Sequence, residues 1–190
     1  SHAPVSLVMV GFNDHFPALR TAAEELRMRR YAYTCFMSRV CSSFFAYLTH
    51  DPVGPPPPAP RYRPAVSPEE FRDNLTAVVR ELRHNRSEPI LLVYPSILKD
   101  EETRAGVALF WKQPRDQVDA NIDSHPVYQQ ITREVAAHER SLLVDLAPIF
   151  EARGNTALHL DWVHPNSEGY ALMAQAIEPL VRATLAPTTP

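Results

Sequence analysis

Two short polar segments, far apart in the chain, contain residue types suited to acid–base chemistry. Asp161 precedes His164 by three residues, and Pro165 follows the histidine at once. In a short irregular segment, two side chains at this spacing can reach each other. The carboxylate can then fix the tautomer of the imidazole and stabilise its charged form, while the other ring nitrogen accepts a proton from a nucleophile. The spacing therefore predicts the orienting half of a catalytic triad.

The second segment, Gly11 to Asp14, directly follows the apolar run of residues 5–10. The side-chain amide of Asn13 can donate a hydrogen bond to a developing oxyanion, an effect of about 3 kcal/mol in acyl-transfer enzymes. Gly11 keeps the end of the run uncluttered, or takes a backbone conformation that other residues avoid. Asp14 is predicted to be a structural hydrogen-bonding residue rather than a catalyst.

Other interpretations of these residues stay open. Taken alone, an Asp-x-x-His sequence is more often a surface turn or a helix cap than a catalytic pair. A metal site at Asp161, His164 and His159 needs a third convergent ligand, which spacing alone does not supply. No metal and no organic cofactor is predicted. Phe110 and Trp111 are candidates for a substrate pocket, with packing of a long loop onto the body as the alternative.

The elements that must position these segments alternate between strands and helices. Apolar runs typical of strands buried on both faces of a parallel sheet occupy residues 5–10, 89–95 and 142–146. Such alternation predicts an α/β fold in which ligands bind beyond the carboxyl ends of the strands. The segments after each strand, with Tyr94 and Ser96 among them, should therefore share one edge. Helices are predicted at residues 17–30, 33–49, 67–84, 126–140 and 167–185.

The connecting segments differ in character. Ser67, Pro68 and Glu70 together indicate a helix start. Residues 96–125 are polar and predict a long irregular loop, and such loops often serve as a lid or a substrate wall. The proline-rich segment 51–66 predicts a stiff, polyproline-like surface loop, with a docking segment for a proline-recognising partner as the alternative. Pro179 should kink or break the last helix.

Composition limits the classes of protein that fit. The chain has 190 residues, 45% of them hydrophobic and 22% charged, which indicates one globular domain over residues 1–190. A net charge of −3 provides no basic patch for nucleic acid, and no apolar run approaches the roughly 20 residues of a membrane span. The N-terminus has no signal-peptide pattern. Cys35 and Cys41 are interpreted as buried thiols and leave the compartment open, an extracytoplasmic or secreted location included.

The Gly11-x-Asn13 segment after a strand and the Asp161-x-x-His164 segment before the last helix resemble blocks III and V of the SGNH (GDSL-type) hydrolases. The resemblance implies a flavodoxin-like three-layer α/β/α fold and the hydrolysis or transfer of acyl esters of small molecules or glycans. It also implies roles for the residues. His164 would be the general base with Asp161 as its partner, and Asn13 and Gly11 would form the oxyanion and substrate-binding part.

The chain departs from this family in one respect. The family's nucleophilic serine lies in a Gly-Asp-Ser motif after the first strand, upstream of block III, and this sequence contains no Gly-Asp-Ser. We therefore expect an N-terminally incomplete domain, inactive alone, whose serine and first strands come from an upstream segment or a second polypeptide. Without that strand, residues 5–10 would form an exposed hydrophobic edge.

Two functions from other classes remain as alternatives. One is a non-catalytic SGNH-like domain that binds an acylated glycan or a protein partner. The other is an interaction module built around the proline-rich segment. The sequence leaves open the acyl length and the choice between hydrolysis and transfer, because a fold shared with enzymes does not define a substrate.

Overall fold

The computed structural model describes residues 3–10, 64–95, 101–111, 114–161 and 164–186. The helices predicted at residues 17–30 and 33–49 lie outside these ranges, as do Cys35, Cys41 and most of the proline-rich segment. The side chains of Phe110 and Trp111 also lie outside the described part, so their assignment to a pocket stays a prediction.

Three parallel strands form the sheet of the described residues. They are β1 (Val5–Val8), β2 (Glu88–Val93) and β3 (Leu142–Asp145), in the order β1-β2-β3. In the register, Leu7 lies opposite Ile90 and Leu91 lies opposite Leu143. The strands therefore begin at one edge and end together at the other. The predicted parallel α/β fold is confirmed.

Helices connect the strands and cover the sheet. The first, α1, follows Ser67, whose hydroxyl oxygen accepts a hydrogen bond from the Glu70 backbone N–H at 3.1 Å, as the sequence predicted. A short 3₁₀ helix lies between the fourth and fifth α-helices. The helices, in chain order, are α1 (Pro68–His84), α2 (Glu101–Trp111), α3 (Arg115–Glu139), α4 (Leu146–Ala152), the 3₁₀ helix (Asn155–Leu158) and α5 (Ser167–Leu185).

The hydrophobic core has two parts, one on each face of the sheet. Successive residues of a strand point to opposite faces, so Leu91 packs with α1 and α3, while Ile90 and Leu92 pack with α4 and α5. Phe71 and Tyr128 join in an edge-to-face contact on the first face, with ring centroids 5.1 Å apart. This arrangement is a three-layer α/β/α fold. Of the described helices, none combines the length and the apolar character needed to cross a membrane.

The prediction of an irregular loop over residues 96–125 is wrong for most of its length. The segment contains α2 and the first part of α3, and Pro126 lies inside α3 rather than at its start. The apolar periodicity was weak because two buried positions in the first part of α3 are polar, namely Asn121 and His125. Most of residues 148–153, which carry no apolar periodicity of their own, form α4. Pro179 is accommodated inside an unbroken α5.

The predicted strand at residues 5–10 is present, but it is shorter than predicted and is not buried on both faces. The strand ends at Val8, and Leu7 is 51% exposed. Among the described residues β1 pairs with β2 alone, so it is the edge strand of this sheet. In α3, Val127 is exposed, whereas Ile131 and Val135 are buried.

Candidate active site

Asp161 and His164 belong to a short segment whose two ends are held together by backbone hydrogen bonds. Leu160 N–H donates to the His164 carbonyl oxygen at 2.8 Å, and Asn166 N–H donates to the Leu158 carbonyl oxygen at 2.9 Å. An antiparallel bridge pairs His159 with Pro165 between these two bonds. We call residues 158–160 and 164–166 the two arms of this segment. The paired arms bring Asp161 and His164 close together.

Asn166 joins the second arm to α5 and to the 3₁₀ helix. Its side-chain oxygen accepts hydrogen bonds from the Glu168 and Gly169 backbone N–H groups, both at 3.0 Å, which caps α5. Its side-chain nitrogen donates to the Ala157 carbonyl oxygen at 2.8 Å. One side chain thus fixes the start of α5 relative to the 3₁₀ helix, and with it the position of the second arm.

The Asp161 carboxylate holds His164 through two hydrogen bonds. The Nδ1 atom of His164 lies 2.8 Å from Asp161 Oδ2, and the His164 backbone N–H donates to Asp161 Oδ1 at 2.7 Å. With Nδ1 engaged by a carboxylate, Nδ1 carries a proton and Nε2 is the basic nitrogen of the neutral ring. The His164 side chain is 67% exposed, so a reacting group can approach the ring from solvent.

Tyr94 places this segment beside the sheet edge where β2 ends. The tyrosine directly follows β2, and its carbonyl oxygen accepts a hydrogen bond from Gln129 Nε2 at 2.7 Å. Burial, together with the charges of Tyr170 and Asp161, raises the pKa of the Tyr94 hydroxyl well above its usual value. Leu158 of the first arm also packs in one core cluster with Leu92 of β2, so the segment lies near the carboxyl end of that strand, the edge at which ligands bind in parallel sheets.

The amino-terminal half of α3 presents buried polar side chains near the same edge. Asn121 and His125 are 4% and 6% exposed, and the His125 ring meets the Tyr94 ring edge-on with centroids 6.4 Å apart. Neither residue has a role that the sequence predicted. The only signal was the spacing of four between Asn121, His125 and Gln129, which places them on one helical face. Their polar character argued for a solvent-facing surface instead.

The structure does not bring every predicted site residue into view. Gly11, Asn13 and Asp14 lie outside the described residues, so their predicted place beside His164 stays a prediction. His159, considered above only as a metal ligand, lies on the first arm with its Nδ1 atom 2.8 Å from the Asn155 carbonyl oxygen. Within the described ranges, histidine and carboxylate side chains form no group of three suited to a metal ion.

Solved structures share this fold. The α/β hydrolase LAE5 from the metagenome of Lake Arreo, Spain, is 21% identical, with a TM-score of 0.50 over 95% of this chain and 60% of that one. A catalytic mutant of Axe2, an acetylxylan esterase from Geobacillus stearothermophilus, is 19% identical with a TM-score of 0.49 over 94% and 58% of the two chains. The lipase/acylhydrolase from Enterococcus faecalis is 20% identical with a TM-score of 0.43 over 65% and 56%. This chain thus spans about 60% of the length of LAE5.

The fold is a three-layer α/β/α arrangement around a parallel sheet, with an Asp–His pair near the carboxyl edge of that sheet. The model of the GDSL-like lipase/acylhydrolase family matches residues 2–172. The chain belongs to this family, as the resemblance to the SGNH hydrolases implied. No curated protein matches the chain.

Proposed function

We propose that this chain is the part of a serine ester hydrolase that carries the general base and its carboxylate partner. The observation that carries the proposal is the pair of hydrogen bonds that the Asp161 carboxylate accepts from Nδ1 and from the backbone N–H of His164. Two bonds to one carboxylate fix both the ring and the backbone of the histidine. Such preorganisation is what a general base needs in order to meet a nucleophile at a defined distance.

In the proposed mechanism His164 Nε2 removes the proton from a serine hydroxyl as that oxygen attacks the ester carbonyl carbon. The imidazolium that forms is stabilised by Asp161, which stays ionised. His164 Nε2–H then donates the proton to the departing alcohol, leaving an acyl-serine. In the second half, Nε2 removes a proton from water, which attacks the acyl carbon and releases the carboxylic acid and the free serine.

The serine in this proposal comes from a segment outside the given sequence, either upstream or on a second polypeptide. Two observations support this part. The chain spans about 60% of the length of LAE5, and β1 has only β2 beside it among the described residues. A strand added to the open edge of β1 would end at the same carboxyl edge as β2. Asn13 and Gly11, which follow β1 in the sequence, would supply oxyanion contacts.

The substrate class in this proposal is an acyl ester of a small molecule or a glycan. The acceptor of the acyl group is either water or the hydroxyl group of an alcohol, and His164 would activate both in the same way. The choice between them depends on which acceptor can reach His164. Transfer to a sugar hydroxyl is therefore the acyltransferase form of the same mechanism.

The test is serine-reactive labelling of the protein isolated from its source together with all covalently or tightly bound segments. A fluorophosphonate should add one phosphonyl mass to a serine peptide outside the given sequence. Labelling and hydrolysis of a p-nitrophenyl ester should both fall, hydrolysis by about 10⁶-fold in His164→Gln and by about 10⁴-fold in Asp161→Asn.

His138→Gln is the matched control, because His138 is an exposed histidine whose Nδ1 atom also lies near a carboxylate, Glu139 Oε1, at 3.1 Å. Its activity and labelling should equal those of the wild type. A serine that labels equally in the wild type and His164→Gln would overturn the proposal. Absence of any labelled serine would overturn it as well and favour the non-catalytic binding domain.

A further inference from the structure

His159 lies at the base of the first arm and is held on two sides. Its backbone pairs with Pro165 of the second arm. Its ring packs against Phe150 of α4, with centroids 5.4 Å apart, and its Nδ1 atom lies 2.8 Å from the carbonyl oxygen of Asn155 in the 3₁₀ helix. The residue thus connects the arm that leads to Asp161 with two neighbouring elements.

The contact with Asn155 determines the tautomer of His159. A backbone carbonyl oxygen only accepts hydrogen bonds, so Nδ1 must carry the proton and donate it. Nε2 is then the unprotonated nitrogen of a neutral ring. That atom is buried, and within the described part of the chain it has no hydrogen-bond partner.

Protonation of this ring is unfavourable in the folded state. It would place a positive charge and a new N–H donor at a buried atom that has no acceptor, at the cost of an unmade hydrogen bond. Burial lowers the pKa of His159, and this effect exceeds the opposing effects of the Asn155 carbonyl and the Asp161 carboxylate. Around the ring, Phe150 of α4 is apolar and the Asn155 carbonyl oxygen of the 3₁₀ helix contacts Nδ1 rather than Nε2.

We propose that His159 is a positioning residue for Asp161 and His164, and that protonation of its buried Nε2 releases the first arm and separates the pair. The pair is therefore in place only while His159 is neutral. For its catalytic consequence this inference rests on the proposed function, because loss of the pair would stop ester hydrolysis in mildly acidic solution. The conformational effect itself is independent of any reaction.

The sign of the pH dependence follows from the lowered pKa. When the arms are open, His159 titrates near its ordinary value of about 6.5. Above this pH, His159 is neutral in both the open and the closed state, and the equilibrium favours the closed arms to its full extent. As the pH falls from there towards the lower pKa of the closed state, only the open state gains a proton, so closure weakens by about tenfold per pH unit.

The test is amide hydrogen exchange measured by NMR on the intact protein between about pH 7.5 and about pH 5, where carboxylates remain ionised. The reporting amides are those of Leu160, His164 and Asn166, whose hydrogen bonds close the arms. After correction for intrinsic exchange, their protection should fall by about tenfold per pH unit below about pH 6.5. The His159 ring signal should titrate below that value in the same sample.

Two substitutions separate the proton from the hydrogen bond. His159→Asn keeps an N–H donor near the position of Nδ1 but does not titrate, so protection should no longer change over this range of pH. His159→Phe keeps a ring against Phe150 but loses the donor, so protection should be low and equally independent of pH. His138→Asn, at an exposed histidine on α3, should behave as the wild type does.

The inference is overturned if wild-type protection does not change with pH while His159 titrates, or if His159→Asn loses protection in acid as the wild type does. The wild-type measurement needs no variant, so a substitution that unfolds the protein does not remove the test. Exchange also separates the two proposals. If the protein lacks esterase activity but the exchange protection of the arms depends on pH, the inference is supported and the proposed function is contradicted. If the protein is an active esterase but the protection of the arms does not change with pH, the proposed function is supported and the inference is contradicted.

Discussion

At the scale of single residues, the Asp161–His164 pair depends on a close approach at Gly169, in the first turn of α5. A Cβ atom added there would overlap the Leu158 carbonyl oxygen and would lie 2.9 Å from the Pro165 Cβ atom. Leu158 and Pro165 belong to the two arms. The absence of a side chain at residue 169 therefore allows α5 to begin directly against the segment that carries the pair.

We expect Gly169→Ala to destabilise the protein by about 1–3 kcal/mol, the usual cost of overpacking a tight site. The obstacle on one side is backbone, which cannot turn away as a flexible side chain would. The measurement is the urea midpoint at unchanged slope. The substitution should also lower the exchange protection of the Asn166 amide, because that group donates to Leu158.

Gly106→Ala is the matched control for this prediction. Gly106 lies in α2, is exposed, and would place its new Cβ atom within 4 Å of nothing. Because alanine is the better helix former, this variant should gain up to about 1 kcal/mol. Equal stability of the two variants would mean that the close approach at Gly169 does not constrain the fold.

At the scale of secondary-structure elements, a group of ion pairs fastens α2 to α3. Arg104 of α2 contacts Asp119 and Asp123 of α3 at 3.1 and 2.7 Å. Arg115 of α3 contacts both carboxylate oxygens of Glu101 at 2.7 Å and Asp119 at 2.9 Å. The Arg104 side chain is only 15% exposed, so its bonds are better shielded from solvent than those of a surface pair. The group orders two helices that follow the carboxyl end of β2.

We expect Arg104→Ala to destabilise the protein by about 1–3 kcal/mol, since it removes charge-assisted hydrogen bonds to two carboxylates. The loss should concentrate in α2, so amide exchange near Val107, a buried residue of that helix, should accelerate more than exchange in β2. Arg182→Ala is the control, because Arg182 pairs with Glu178 on the exposed surface of α5 and its side chain is 78% exposed. It should cost no more than about 0.5 kcal/mol. Equal costs would contradict the role assigned to the group.

Acid should weaken the same contact. The hydrogen bonds from Arg115 lower the pKa of Asp119 and of Glu101. A lowered pKa stabilises the folded state above the ordinary values of about 3.9 and 4.3, and this contribution is lost as the pH falls through the folded-state values. We expect this loss of stability below about pH 4, which is well below the pH range in which His159 is expected to change the closure of the arms. The Arg104→Ala variant should retain part of it, because Arg115 remains in contact with both carboxylates.

At the scale of the whole molecule, the open side of β1 defines what can be added to this chain. Leu7 is 51% exposed, and just after the strand Met9 and Val10 are 38% and 44% exposed. Among the described residues the backbone of β1 pairs on one side only. An apolar edge of this kind favours pairing with another strand, whether from an upstream segment or from a second copy.

We expect Leu7→Lys to reduce association of the isolated 190-residue chain, because a charged side chain on an edge strand opposes strand pairing. Light scattering and sedimentation at increasing concentration measure the effect. Leu109→Lys is the control, since Leu109 is 82% exposed on α2 and away from any strand edge. If both variants associate as the wild type does, the edge of β1 is not the surface that accepts a partner.

Features that depend on near neighbours in the chain could be predicted from the sequence alone. The start of α1 is one, because the Ser67 hydroxyl and the Glu70 N–H are three residues apart. The contact between Asp161 and His164 is another, for the same reason of short separation. An unbroken apolar run predicted the buried strand β2, and the alternation of strands with helices predicted a parallel sheet.

Only the tertiary structure decided the features that depend on distant neighbours. Asn121 and His125 are polar, and their burial depends on the elements that pack against α3. The local pattern therefore predicted a loop where the structure has a helix. Leu7 is apolar, and its exposure depends on which strands lie beside β1. The environment of the His159 ring depends on Phe150 and Asn155, which contact the ring only in the folded chain. Sequence determines which bonds a residue can form, whereas burial, and with it the cost of charge, is a property of what the fold packs against that residue.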